Sequence, residues 1–306
     1  MRELGKVTSG LALLVVLGAG AGWVLSAPAA PLPDAALAGL TGDAAHGAVV
    51  FAIAGCASCH VAPDAAFSLT PVLAGGQQFA SDFGTFIAPN ISPDPVNGIG
   101  AWSDAQIINA AQRGVTPDGR HLYPAFPYGS YSKTSMQDML DLVTFWRTLP
   151  TADTPSQPHQ VGFPFSIRRA VGLWKVLFSS SQFVVQGDLT PEQTRGRYLV
   201  EALGHCAECH TPRNILGGLS RGDWLGGAPN PSGDGRIPNI TPGRLTWSEA
   251  DIAEYLKSGF TPEFDTAGGE MAEVVKNTGQ LSDADRAAIA AYLKVVPAIT
   301  PAPTTP

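Results

Sequence analysis

Four cysteines are all that this chain of 306 residues contains, and they fall in two copies of one pattern: Cys56-Ala57-Ser58-Cys59-His60 and Cys206-Ala207-Glu208-Cys209-His210. C-x-x-C-H is the attachment signature of c-type haem. Its two thiols add across the porphyrin vinyl groups, and the adjacent histidine ligates the iron. A zinc site would need two more ligands for each motif. The other histidines (His46, His121, His159, His205) are scattered singly. The pattern therefore predicts two covalently bound haem c groups, held by Cys56, Cys59, Cys206 and Cys209, with His60 and His210 as iron ligands. The 34 glycines and 26 prolines suit short helices joined by ordered loops around a prosthetic group. The net charge of −7 and the lack of any Lys/Arg run argue against nucleic acid as a partner.

The chain also repeats itself. Cys56 and Cys206 are 150 residues apart; Asn90-Ile91-Ser92-Pro93 returns as Asn239-Ile240-Thr241-Pro242 at an offset of 149. Trp102-Ser103-Asp104 returns as Trp247-Ser248-Glu249, and Gly114-Val115-Thr116-Pro117 as Gly259-Phe260-Thr261-Pro262, both at 145. Helix starts are legible at Thr41-Gly42-Asp43, Ser103, Thr190-Pro191-Glu192, Ser248 and Ser282, where a short oxygen-bearing side chain precedes a helical run. Terminal helices are expected over residues 134–147 and 282–295. Each half thus reads as several short helices wrapped on a haem, the all-α architecture of class I cytochrome c. Two such domains are expected in tandem, over 41–150 and 189–298, with a tail over 299–306.

Upstream, residues 7–25 form a 19-residue apolar run behind Arg2 and Lys6. At 1.5 Å per residue it would roughly span a bilayer core of about 30 Å. It reads as an uncleaved transmembrane helix within 1–27, with Trp23 at the interface, followed by a tether over 28–40. A cleaved signal ending near Ala27-Pro28-Ala29 is the competing reading. The anchor implies an inner-membrane location with the haem domains in the periplasm, and either reading exports the rest of the chain. The linker over 151–188 contains a stretch, 163–178, too apolar for a loose tether. It is expected to pack between the domains or to touch a membrane or partner, with Arg168, Arg169 and Lys175 solvated or paired to haem propionates.

An electron-carrying haem usually takes a sixth ligand, most often methionine. Met271 lies between the Trp247 helix and the terminal helix, where class I cytochromes carry this ligand. The repeat offset places Phe126 at the matching position of the first half, and phenylalanine cannot ligate iron. Met136 and Met139 sit at helical spacing and are expected in core. The first haem then lacks a strong distal ligand or takes one from elsewhere, with His121 the candidate.

The strings NISPD…GIGAWSDAQI, GVTPDGRHLYPAFPY, GHCAECHTPRN and GGEMAEVVKNTGQLSDADRAAIAAYLK resemble the multihaem cytochrome c subunits of membrane-bound alcohol dehydrogenases and related periplasmic dehydrogenases. The resemblance covers nearly the whole chain after its N-terminal run. It implies electron transfer from a periplasmic dehydrogenase to a quinone, an oxidase or a soluble cytochrome, with no catalysis by the chain itself. Two departures stand out: those subunits carry three haem domains, and they have methionine where this chain has Phe126. The alternative is a di-haem peroxidase or gas-binding protein that uses an open first haem, for which Tyr123, Tyr128 and His121 are the available polar groups.

Overall fold

The computed structural model describes residues 16–18, 20–231, 233 and 235–300. In the first half, α1 (Ala44–Ile53) starts at Asp43, whose carboxylate accepts the Ala45 and His46 amides at 2.8 and 3.2 Å. The short α2 (Cys56–His60) follows Gly55, whose φ of 64° reverses the chain. α3 (Asp104–Arg113) opens with a Ser103–Gln106 capping box and stops at Gly114 (φ 59°). A single turn, α4 (Tyr128–Tyr131), and the closing helix α5 (Met136–Trp146) complete the half.

The linker supplies α6 (Ala170–Phe178). The second half repeats the plan with α7 (Pro191–Tyr198), which runs on as a π-helical turn over Leu199–Leu203, then α8 (Ala207–His210), α9 (Glu249–Ser258), α10 (Glu270–Thr278) and α11 (Asp283–Leu293). Thr190 and Ser248 form capping boxes and Ser282 caps α11, as the sequence predicts.

The all-α expectation needs correction. Antiparallel pairs join β1 (Gln78–Ser81) to β2 (Gly84–Ile87) and β3 (Ala228–Pro229) to β4 (Arg236–Ile237). Both lie between a C-x-x-C-H motif and its Asn-Ile-Ser/Thr-Pro, where the chain must leave the histidine and return to it. Gly84, at φ 122°, makes the first turn, and Phe79, Thr85, Phe86 and Ile87 suit a pleated ribbon.

The transmembrane expectation needs correction too. Among the described residues no helix is long and apolar enough to cross a membrane, so a single N-terminal anchor and the inner-membrane location drawn from it are unsupported. Residues 16–18 and 20–25 are helical and a turn follows at Ser26; 7–15 and 19 lie outside the described residues. Trp23, read as an interfacial anchor, is largely exposed, and the Arg169 guanidinium lies 4.4 Å from its ring centroid and donates to its carbonyl at 2.6 Å.

Two hydrophobic cores hold the molecule. One joins Phe51, Leu73, Ile108, Met139, Val143 and Trp146 of the first half. The other is built on Leu199, Val200, Leu203, Ile289 and Tyr292 of the second half, yet it also contains Val50 and Ile53 of α1. α1 therefore contributes to both cores. Each half closes by crossing its first helix on its last at a glycine. A Cβ on Gly47 would lie 1.9 Å from the Asp141 carbonyl oxygen, and one on Gly196 would lie 1.9 Å from that of Ala288. Only glycine permits these crossings.

The linker is fixed in place. Thr85 and Gln160 exchange backbone hydrogen bonds of 3.0 and 2.9 Å, and the buried Glu201 carboxylate accepts the Val184 and Val185 amides. α6 packs across both halves, as one of the two sequence readings holds. Gly172 meets Ser26 and His121 on one side, and Trp174 Nε1 donates to the Leu216 carbonyl at 2.8 Å on the other. Its cations are neither solvated nor free. Arg168 stacks 3.8 Å from the Tyr123 ring centroid and donates to the His121 carbonyl; Lys175 donates to the Arg113 and Gly114 carbonyls at 2.7 Å each.

Candidate haem-binding site

Each motif coils into one helical turn, which brings its two cysteines to the same side with the histidine at the turn's end. The histidines are oriented identically. His60 Nδ1 lies 2.9 Å from the Pro89 carbonyl oxygen, and His210 Nδ1 lies 2.8 Å from that of Pro238. A carbonyl can only accept, so Nδ1 carries the proton and Nε2 presents its lone pair. Burial holds both imidazoles below the usual histidine pKa, with the carbonyl bond partly opposing it. Neutral imidazole with a free Nε2 is the form that ligates a metal.

The carbonyls are themselves held. Asn90 Oδ1 accepts the Ser92 amide at 2.8 Å while its Nδ2 donates to Ala152 and Thr154. Asn239 Oδ1 accepts the Thr241 amide at 2.8 Å and its Nδ2 donates to Ile299. Two further bonds fasten each loop. Gly75 and Gly227 donate to the His60 and His210 carbonyls at 2.7 Å, and Ile91 and Ile240 donate to Leu73 and Leu225 at 3.0 Å. The repeated Asn-Ile-Ser/Thr-Pro is thus the clamp that fixes the carbonyl one residue before it. The sequence shows the repeat but not its partner. Pro89 and Pro238 act through backbone oxygens, which any residue type would supply.

None of the four cysteines is in a disulfide. Burial, followed by the neighbouring cysteine, pushes Cys56 and Cys206 up to about 12. Cys59 rises to about 11 through burial and then through Cys209, although its side chain reaches solvent. It is accessible yet walled by protein, as a residue lining a cleft is. That Cys59 feels Cys209 also puts the two motifs within charge range of each other.

Hydrogen bonds tie together the segments around the motifs. His205, just before the second, approaches the carbonyl of Ala54, just before the first, at 3.3 Å; the Tyr131 hydroxyl donates to that carbonyl at 2.6 Å. Asn277 Nδ2 donates to Ser58 Oγ at 2.9 Å, and Ser130 Oγ to Glu208 at 3.3 Å.

Met271 stands in the first turn of α10, partly buried against the second core. The charge of its neighbour Glu270 contributes to raising the Cys209 thiol, after burial and Glu208. The repeat register is kept in three dimensions. Backbone bridges pair Val115 with His121 and Phe260 with Thr266, both at an offset of 145, the offset that relates Phe126 to Met271 in sequence. The Phe126 ring packs on Tyr131, 5.6 Å between centroids. His121 is buried with Nε2 bound to the Ser26 carbonyl at 2.9 Å, while its Nδ1 is buried without a partner. Ligation by Nε2 would require that bond to break. Met139 is buried in the first core and Met136 packs against it.

Two cysteines on one turn and a neutral histidine whose Nε2 is free, both present twice, fit haem c in donor chemistry and number. Comparison with known proteins agrees. Residues 191–293 match the family model "Cytochrome C oxidase, cbb3-type, subunit III". A diheme cytochrome c-type protein of Cereibacter sphaeroides is 55% identical over 294 residues, 96% of this chain and 99% of that protein. The fructose dehydrogenase cytochrome subunit of Gluconobacter japonicus is 39% identical over 80% of this chain, and the cytochrome c subunit of the quinone alcohol dehydrogenase of Gluconacetobacter polyoxogenes 36% over 83%. The chain spans 51% and 56% of those two proteins. It belongs to the di-haem c-type cytochromes related to the cytochrome subunits of dehydrogenases, and it carries two covalently bound haem c groups.

Proposed function

We propose that this cytochrome receives electrons from a dehydrogenase and passes them to a respiratory acceptor: a quinone, an oxidase or a soluble cytochrome. Haem c supplies reversible one-electron storage at its iron. The side chains hold and insulate it. Cys56 and Cys59 bind one group and Cys206 and Cys209 the other, His60 and His210 ligate the irons, and Met271 gives the second iron a thioether. Each unit of the repeat binds one haem, over 41–150 and 189–298. The observation that carries the reading is the bond between His205 and Ala54, the segments that lead into the two motifs, which suits short-range electron exchange between the haems.

The peroxidase or gas-binding reading is not favoured. Cleaving peroxide calls for polar groups beside the iron, and here Phe126 lies against Tyr131, whose hydroxyl is bound to Ala54, while the Tyr123 hydroxyl donates to the Phe165 carbonyl and His121 Nε2 is bound to that of Ser26. Mixing the oxidised holoprotein with a dehydrogenase of the fructose, alcohol or gluconate type and its substrate tests the proposal. Haem reduction within the enzyme's turnover time is expected. Absence of reduction by all three, or turnover of peroxide with a reduced donor, would overturn it.

A further inference from the structure

The repeat makes each half a control for the other. α3 and α9 both stop at a left-handed glycine, Gly114 (φ 59°) and Gly259 (φ 80°), and both lead into a hairpin closed by one backbone bridge. In the first half this hairpin is covered: Val115 and His121 are each 3% exposed. α6 lies over it, with Gly172 against His121 and Lys175 on the last carbonyls of α3, where the helix end is negative.

In the second half the same hairpin stands open. Phe260, the counterpart of the buried Val115, is 57% exposed, and Phe264 is 93% exposed. Phe264 also has a φ of 65°, in the place where the first hairpin has Gly119 at 79°. A bulky aromatic in left-handed backbone is strained, and here it buries nothing within the chain in return. The charges differ as well. Asp118 and Arg120 of the first hairpin become Glu263 and Asp265, so an ion pair is replaced by two acids, with Lys257 nearby on α9 bound to Asp283 at 3.7 Å. The hairpin leads through Gly268 and Gly269 into Met271, beside the second haem-binding segment.

We propose that residues 260–266 are the docking site of the electron-donating dehydrogenase, which seats on them a short apolar helix bearing a lysine or arginine, as α6 is seated on the first hairpin. Exposed aromatics inside a charged rim are the residues that dominate protein interfaces. This inference rests on the electron-transfer reading above. The test is photo-cross-linking of the full haem-loaded chain, with p-benzoylphenylalanine in place of Phe264, mixed with the dehydrogenase that reduces it. An adduct with the dehydrogenase is expected, and none from the same group in place of Val96. An adduct with a second copy of this chain, or no adduct, overturns the proposal.

Phe264→Gly, which installs the residue of the first hairpin, and Asp265→Lys should each lower the rate of haem reduction by the dehydrogenase at least tenfold at low salt. Phe264→Gly, which relieves the left-handed strain, should not lower the thermal midpoint and should leave the dithionite-reduced spectrum unchanged. An undiminished rate in both variants overturns the proposal. If the dehydrogenase fails to reduce even the unaltered protein, the electron-transfer reading fails instead.

Discussion

His121 ties the first hairpin to α6 and to the segment ahead of the first half. It meets the Ser26 carbonyl, Gly172 of α6 and, through its own carbonyl, Arg168. Burial, outweighing its bond to Ser26, lowers its pKa below the ordinary 6.5, with Lys175 and Arg169 adding to the effect. The sign follows. As the pH falls below about 6.5 the unfolded chain takes up a proton here that the folded chain refuses, so stability is full above that pH and drops below it. The contribution is at most about 1.4 kcal/mol per pH unit. Denaturant midpoints between pH 7 and 5 should therefore fall on acidification, and His121→Asn should flatten the slope. Phe126 and Met271 allow a second test at this scale. Reduced native protein should bind carbon monoxide at one haem of the two, Phe126→Met should abolish that binding, and Met271→Ala should open the other haem. Absorbance titration with the gas reads all three. Binding at neither haem of the native protein would mean a strong ligand at the first iron, and His121 would have to leave Ser26 to be it.

The elements hold together at their crossings. α1 on α5 and α7 on α11 meet through Gly47 and Gly196, where any side chain would collide with backbone rather than with a movable group. Gly47→Ala and Gly196→Ala should each destabilise by about 1–3 kcal/mol, the range for overpacking, although alanine is intrinsically the better helix former. Urea unfolding of the holoprotein measures it, and a gain in stability in either variant would mean that the helices slide apart without cost. The α1–α5 crossing is also pinned by charge. Asp141 of α5 accepts the Asp43 amide at 2.8 Å and His46 Nδ1 at 2.9 Å. Burial opposes its ionised form, but these bonds together with Gln137 outweigh it and hold the carboxyl below its usual pKa.

At the scale of the whole molecule, the two units of the repeat do not each own a core. Val50 and Ile53 lie in the cluster of the second half, the linker is hydrogen-bonded at β2 and at Glu201, and α6 spans both halves. Calorimetry of the holoprotein should then give one cooperative transition, because exposing either half uncovers the other. Ile53→Ala should cost about 2–5 kcal/mol and lower the unfolding of both haem environments together when followed by their separate absorbance changes. Two resolved transitions, with only the first moved by this substitution, would show the halves to be independent domains.

What the sequence determined by itself was whatever local chemistry fixes. The C-x-x-C-H motifs name their cofactor because thioether attachment needs those atoms at that spacing. Ser103, Thr190, Ser248 and Ser282 mark helix starts because a cap acts within three residues of itself. The offset of 145 survives over 115–121 and 260–266 as matching backbone bridges because both hairpins obey one pattern. Tertiary structure alone decided the rest. The carbonyls of Pro89 and Pro238 that orient the histidines leave no mark in residue type. The two β-ribbons are too short for a period to announce them. An apolar run reads alike whether it faces lipid or protein, so Trp23 could be assigned only once Arg169, 146 residues away in the chain, was found beside it. The cations of the linker and the buried crossing glycines acquired their roles the same way, from partners that proximity in space supplies and proximity in sequence does not.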